Sequence, residues 1–210
     1  MRKILGYFFI SLAIVGCSSK APFQNDTWKA VAQGDEFSDS LNLIVTTGDY
    51  SSGGYVVTRG MRYYPVIGRN GNDIYFGVMS GGRFKIPVGN IQVRIDQNKT
   101  WDISSSETPE VLVSKINSFQ AIDYGLKGEQ AEVVRHAQEQ AMENYGRAMS
   151  HITAVGGEKA RQIIRQMLSG KRIIYRSTMT STPTSTTGKA DLDSSLRKSL
   201  VEIGIDPSSI

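Results

Sequence analysis

Apolar and polar residues follow two rhythms along the chain. Between residues 41 and 103 they alternate, or gather into short β-branched and aromatic runs broken by turn residues. This predicts strands over 41–47, 55–59, 61–67, 74–79, 83–87 and 91–95. Gly68-Arg69-Asn70-Gly71-Asn72-Asp73 predicts a hairpin, since Asn-Gly tolerates the positive φ angles of a type I′ turn. In Ile91-Gln92-Val93-Arg94-Ile95-Asp96 the odd positions are apolar and the even ones polar, so one face of that strand is dry and the other wet.

After Ile103 the spacing becomes helical. Thr108 can cap a helix that starts at Pro109 and continues through Val111, Leu112, Lys115 and Ile116. A longer helix is predicted over 129–152, where Ala131, Val134, Gln138, Ala141, Tyr145, Ala148 and Ile152 form a heptad stripe of small and polar members. The clearest amphipathic helix covers 157–168, with Ala160, Ile163, Ile164, Met167 and Leu168 on one face and Gly170 as its stop. A late strand is predicted over 172–177, with Ile173 and Tyr175 on one side and Arg172, Ile174 and Arg176 on the other. The Ser- and Thr-rich stretch 177–189 reads as an exposed loop. Leu192, Leu196, Leu200 and Ile203 support a final helix closed by Gly204.

A strand-rich segment (41–103) followed by a helix-rich one (107–210) predicts an α+β fold. It has an antiparallel sheet or sandwich in the first half, helices in the second, and one late strand returning to the sheet. The expected organisation is a cleaved leader (1–16), a tether (17–27) and a single domain (28–210) in which Trp28 opens the folded part.

The leader follows from Arg2-Lys3 and the thirteen apolar or small residues 4–16, which would rise only about 20 Å as a helix, too short to cross a bilayer core. It ends in Leu12-Ala13-Ile14-Val15-Gly16-Cys17, and here the chain resembles bacterial lipoproteins: Ile14, Gly16 and Cys17 match the lipobox positions −3, −1 and +1. The resemblance implies cleavage between Gly16 and Cys17, diacylglycerol on the Cys17 sulfur, and acylation of the new amine. Ser18 stands where, in lipoproteins of Gram-negative bacteria, an Asp commonly marks inner-membrane retention, so in a Gram-negative host the resemblance implies the outer membrane. Several acyl chains at about 0.8 kcal/mol per buried CH₂ give stable anchoring without a membrane span. Residues 93–96 and 170–176, with the closing helix, also resemble small exported β-sandwich proteins of the invasion-associated locus B type, although that family's cysteines are missing here.

Composition narrows the chemistry. With one Cys and two His in 210 residues, a disulfide framework and a four-thiolate zinc site are excluded. His136 and His151 would lie about 22 Å apart on one helix, too far to share an ion. There is no Gly-x-Ser-x-Gly elbow, and Ser80 in Met79-Ser80-Gly81-Gly82 fits a turn equally well. No glycine-rich segment leads into a P-loop helix. The formal charge of +4 falls to +2 once Arg2 and Lys3 are removed. Basic residues concentrate in 59–99 and 158–176, and acidic ones in 102–143, a polarity that suits anionic headgroups or cell-wall carboxylates as well as ordinary solvated faces.

These readings predict a lipid-anchored, non-catalytic binding or structural component of the cell envelope that needs no cofactor. Its expected partners are membrane lipid, through Cys17, and an envelope protein or glycan; an exported address argues against nucleic acid. Aromatic anchors beside guanidinium groups place the expected contact surface at Arg59, Arg62, Tyr63, Tyr64 and Arg69, together with the Ser/Thr loop. The other readings are a subunit of a secretion, conjugation or appendage complex docking through 129–152, a receptor-blocking or phage-exclusion lipoprotein, and a cell-wall hydrolase using pairs such as Asp96 with Asp102 or Asp49 with Asp73.

Overall fold

The computed structural model describes residues 28–33, 42–47, 62–81, 85–113, 125, 127–179 and 187–210. The lipobox, the predicted strand 55–59, the end of the helix expected from Thr108, and the core of the Ser/Thr loop lie outside these residues. In chain order the described elements are β1 (Trp28–Gln33), β2 (Asn42–Thr47), β3 (Tyr63–Asn70), β4 (Asp73–Ser80), β5 (Ile91–Ile95), β6 (Trp101–Ile103), α1 (Glu129–Ala148), β7 (Ile152–Val155), α2 (Gly157–Ser169), β8 (Arg172–Ser177), β9 (Thr187–Asp191) and α3 (Ser194–Glu202). Two antiparallel sheets result, ordered β1-β2-β3-β4-β7 and β6-β5-β8-β9. The α+β fold expected from the sequence is the one observed.

Alternation along β3 and β4 explains why the first sheet is apolar on both faces. Ile67, Ile74, Phe76 and Val78 point into the main core, while Tyr64, Val66, Tyr75 and Met79 point into a second cluster with Ile44, Ile152 and Ala154. In the second sheet, Ile91, Val93, Ile95, Ile173 and Tyr175 face the main core and the intervening residues stay wet, as the period-two pattern predicts. Between the sheets α2 contributes Ala160, Ile163, Ile164 and Met167, all buried; each of the larger side chains stabilises the fold by about 1.5–3 kcal/mol through burial. The opposite face of α2 carries Glu158, Gln162 and Arg165 in exposed polar contacts.

Trp28 closes the chain. Its backbone N–H donates to Ser195 Oγ (3.0 Å), its indole N–H to the Asp191 carbonyl (2.8 Å), and its own carbonyl accepts from Ser199 Oγ (3.1 Å). The C-terminal helix α3, capped by the Asp193 carboxylate on Ser195 N–H, is thereby pinned to β1.

Close approach dictates several glycines. A Cβ at Gly77 would lie 2.3 Å from the Thr153 carbonyl oxygen of the neighbouring strand, so only glycine lets β7 pair with β4 here. Gly68 and Gly188 sit opposite Tyr75 and Tyr175, whose rings lie across them in place of a side chain. Gly170 ends α2 at φ −88°, not in a left-handed cap; it is needed because a Cβ would meet Ile95 Cγ2 at 2.5 Å.

The structure corrects the predicted elements in five places. The β3–β4 turn has positive φ only at Gly71 (58°), the requirement of a type II′ turn and not of type I′. In the described part of 83–87, residues 85–87 form no strand: Pro87 has no N–H, and Ile86 N–H is taken by Ser80 Oγ. Instead of a helix from Thr108, two 3₁₀ turns form at Ser105–Glu107 and Glu110–Leu112, and the Thr108 hydroxyl accepts from Ala154 N–H on the edge strand β7. Helix α1 stops at Ala148, and Ile152 belongs to β7. Ser150 Oγ takes the Ile152 N–H at the break, and the Ile-Thr pair prefers the pleat beside Met79 and Val78. Finally, 177–189 is no loop at its ends, because Ser177 is a buried end of β8 and Thr187 to Lys189 open β9.

Gly77→Ala is expected to lower stability by about 1–3 kcal/mol through overpacking against a backbone oxygen. Gly71→Ala, whose Cβ meets nothing but whose φ is +58°, should cost about 1 kcal/mol. Urea midpoints of the two variants check this order; an inverted order would mean that β7 shifts freely.

Candidate functional site

The residues expected to form a contact surface are spread apart. Cys17, Gly16 and Arg59 lie outside the described residues. Arg62 is exposed just before β3. Tyr63 and Tyr64, adjacent in the pleat, point to opposite faces. Tyr63 is half-buried with its hydroxyl donating to the Pro87 carbonyl (3.2 Å), and Tyr64 is buried in the second cluster. Burial pushes the Tyr63 phenol up, against a smaller opposing hydrogen bond with Ser177. Arg69 lies roughly 23 Å along the strand from Arg62. There its Nη1 donates to the Gly204 carbonyl (2.9 Å), closing the C-terminal end of α3.

A different set of residues converges on the wet face of the second sheet. The register places Gln92 opposite Arg176 and Arg176 opposite Thr187; in the next row Arg94 faces Ile174 and Ile174 faces Lys189. Between these strands runs a groove of about 240 Å³ lined by Gln92, Arg94, Thr100, Ile174, Arg176 and Thr187. Arg176 is half-buried; its Nε donates to Gln92 Oε1 at 2.9 Å and its Nη2 donates to the same oxygen. Gln92 Nε2 in turn donates to Asp102 Oδ1 at 2.7 Å. One row further, Arg172 pairs with Asp191 at 3.0 Å. Among the described residues no carboxylate reaches ion-pair distance of Arg94, Arg176 or Lys189.

The margin of this face is tied to α2. Lys159 Nζ donates to the Asp102 carbonyl (2.9 Å) and to Glu107 Oε2 (2.7 Å), while Glu107 Oε1 accepts from Ser104 N–H (2.9 Å) in a capping box. At the other margin Asp96, in the left-handed region at φ 49°, accepts N–H bonds from Lys171 (2.9 Å) and Arg172 (2.8 Å). The carboxylates of Asp96 and Asp102 are thus both engaged in structural hydrogen bonds. Ser80 is wholly buried, accepting from Ile86 N–H.

Of the two histidines, His136 lies exposed on α1 beside Glu139 (3.7 Å). His151 is half-buried, and burial together with the Lys85 charge pulls its pKa down. Among the described residues no three His, Cys, Asp or Glu side chains converge as a metal site, and no helix is long and apolar enough to cross a membrane. Compared with protein families, curated proteins and solved structures, the chain matches none.

The polar alternation of 91–96 and 172–177 marks Gln92, Arg94 and Arg176 as outward. What sequence reasoning missed is that register aligns them, since pairing of strands some eighty residues apart leaves no local signal.

Glu107 supplies a pH test. Burial raises its pKa, but the hydrogen bonds from Lys159 and Ser104 and the Lys159 charge outweigh it, leaving the carboxyl below its ordinary 4.5. Its contribution to stability is therefore full above pH 4.5 and is lost as pH falls through the lower folded value. Glu107→Gln should flatten the stability profile below pH 4.5 in urea titrations at stepped pH; an unchanged acid limb would refute the coupling.

Proposed function

We propose that this protein is an exported bacterial lipoprotein, acylated at Cys17, that acts as a non-catalytic binding or structural component of the cell envelope, anchored in the outer membrane if the host is Gram-negative. The observation that carries the reading is that the only cysteine of the chain stands at the +1 position of Ile14-Val15-Gly16-Cys17. A rigid sheet face with unpaired cations supports binding as its role, because the groove side chains sit on strands held by the core. The resemblance of 93–96 and 170–176 to exported proteins of the invasion-associated locus B type points the same way, and those segments overlap β5 and β8.

Intact mass and membrane fractionation of the native protein beside Cys17→Ser test this reading. The native form should carry diacylglycerol and acyl mass and sediment with membranes, and the variant should lose both. A native form that is soluble and unmodified would overturn the anchor and with it the envelope role.

One observation favours a second reading, a subunit of a larger envelope assembly. Across its twenty residues α1 buries only Gly146, and it exposes Val133, Tyr145 and, at its C-terminal cap, Met149. A photo-crosslinker at Val133 should then yield one discrete adduct in intact cells, whereas only monomer would count against it.

A further inference from the structure

The geometry points to an oxyanion site in the groove of the second sheet, built by Arg94, Arg176 and Lys189 around Ile174, for a phosphate or carboxylate carried on an envelope glycan or a lipid headgroup. This deepens the envelope-binding reading and rests on it only for where the anion is met.

Arg176 is the fixed element. Two of its nitrogens donate to Gln92 Oε1, which sets the plane of the guanidinium, and Gln92 is itself held by Asp102. An amide oxygen orients the cation without neutralising it. The full positive charge therefore stays on a half-buried, oriented group whose outer edge, one Nη1 hydrogen beside the second Nη2 hydrogen, remains available for a bidentate anion. A cation already held in place loses little conformational freedom when an anion docks.

Arg94 and Lys189 are the exposed elements. They flank Ile174 in one cross-strand row, so two strand spacings separate their Cα atoms by about 10 Å. Both are exposed, and among the described residues neither has an ion-pair or hydrogen-bond partner. Thr100 lines the groove, Ile174 gives it an apolar patch, and about 240 Å³ accommodates a phosphate or a single sugar ring with an acidic substituent. In the adjacent row Arg172 pairs with Asp191, and on α2 Arg165 pairs with Glu158. Arg94 and Arg176 line the groove and Lys189 stands beside it in the row of Ile174, and among the described residues none of the three has a carboxylate at ion-pair distance.

The test uses the full chain with ¹³C-labelled isoleucine methyl groups, titrated with inorganic phosphate and separately with glucuronate at constant ionic strength. The Ile174 methyl should shift saturably while Ile91 and Ile163 in the core stay unmoved. Arg94→Gln should weaken the apparent affinity by roughly tenfold, the loss of one charge-assisted hydrogen bond. Arg165→Gln should leave it unchanged. Arg94 has no structural partner, so its variant decides the matter even if Arg176→Gln disturbs the sheet. No saturable shift, or equal affinity in Arg94→Gln, overturns the site.

Two further outcomes support the site and separate its sources. Arg94-dependent retention of the Cys17→Ser chain on phosphatidylglycerol vesicles, and not on phosphatidylcholine, assigns a headgroup; glucuronate binding without such retention assigns a glycan. If Ile174 responds but Cys17 carries no lipid, the site stands and the anchor falls. If Cys17 is acylated and Ile174 is silent, only the site falls.

Discussion

Everything in the fold hangs on the closure of Trp28 against the C-terminal residues. One side chain and its peptide groups join three elements: β1 of the first sheet, the last residue of β9 in the second, and α3. The indole is almost fully buried, so it supplies both apolar area and a satisfied polar tip. Each bond adds about 1 kcal/mol net, and their partners lie more than 160 residues away, so they tie the two ends of the described chain together. Through that closure α3 lies along the edge strand β1 and adds Leu196 and Leu200 to the main core.

The two sheets divide the work of burial unequally. The first is apolar on both sides, because β3 and β4 alternate between two clusters. The second gives only one face to the core, and its strands β5, β8 and β9 present a grid of long polar side chains on the other. The polar side chains of that face therefore stand on strands whose other face is buried in the core. Its two margins are fastened by Asp96 on the backbone of Lys171 and Arg172 and by Lys159 between Asp102 and Glu107.

Elements with strong periodicity were readable from the sequence. The spacing of Ile163, Ile164 and Met167 defines α2, the alternation of 91–95 and 172–177 defines β5 and β8, and Leu196 with Leu200 defines α3. Short strands were not readable. β7 has four residues continuing a helical stripe, and β9 carries Gly188 and Lys189, which read as loop until Tyr175 fills the glycine's place. A related effect acts inside the expected contact surface: Tyr63 and Tyr64 are neighbours in sequence, and the pleat separates them. The groove arises from the opposite effect, since Gln92 and Arg176 are distant in sequence and touching in register.

The tyrosines lying over Gly68 and Gly188 make each pair a shared volume. In Gly68 with Tyr75 and in Gly188 with Tyr175, the ring occupies the space that a side chain on the facing strand would need. Neither member can be exchanged alone at small cost: a larger residue at the glycine evicts the ring, and a smaller one at the tyrosine leaves a hole. Over evolutionary time such positions are constrained to change in concert, with bulk passing from one strand to the other. The fold therefore predicts covariation within each of two pairs whose members, taken singly, look like an ordinary turn glycine and an ordinary core tyrosine.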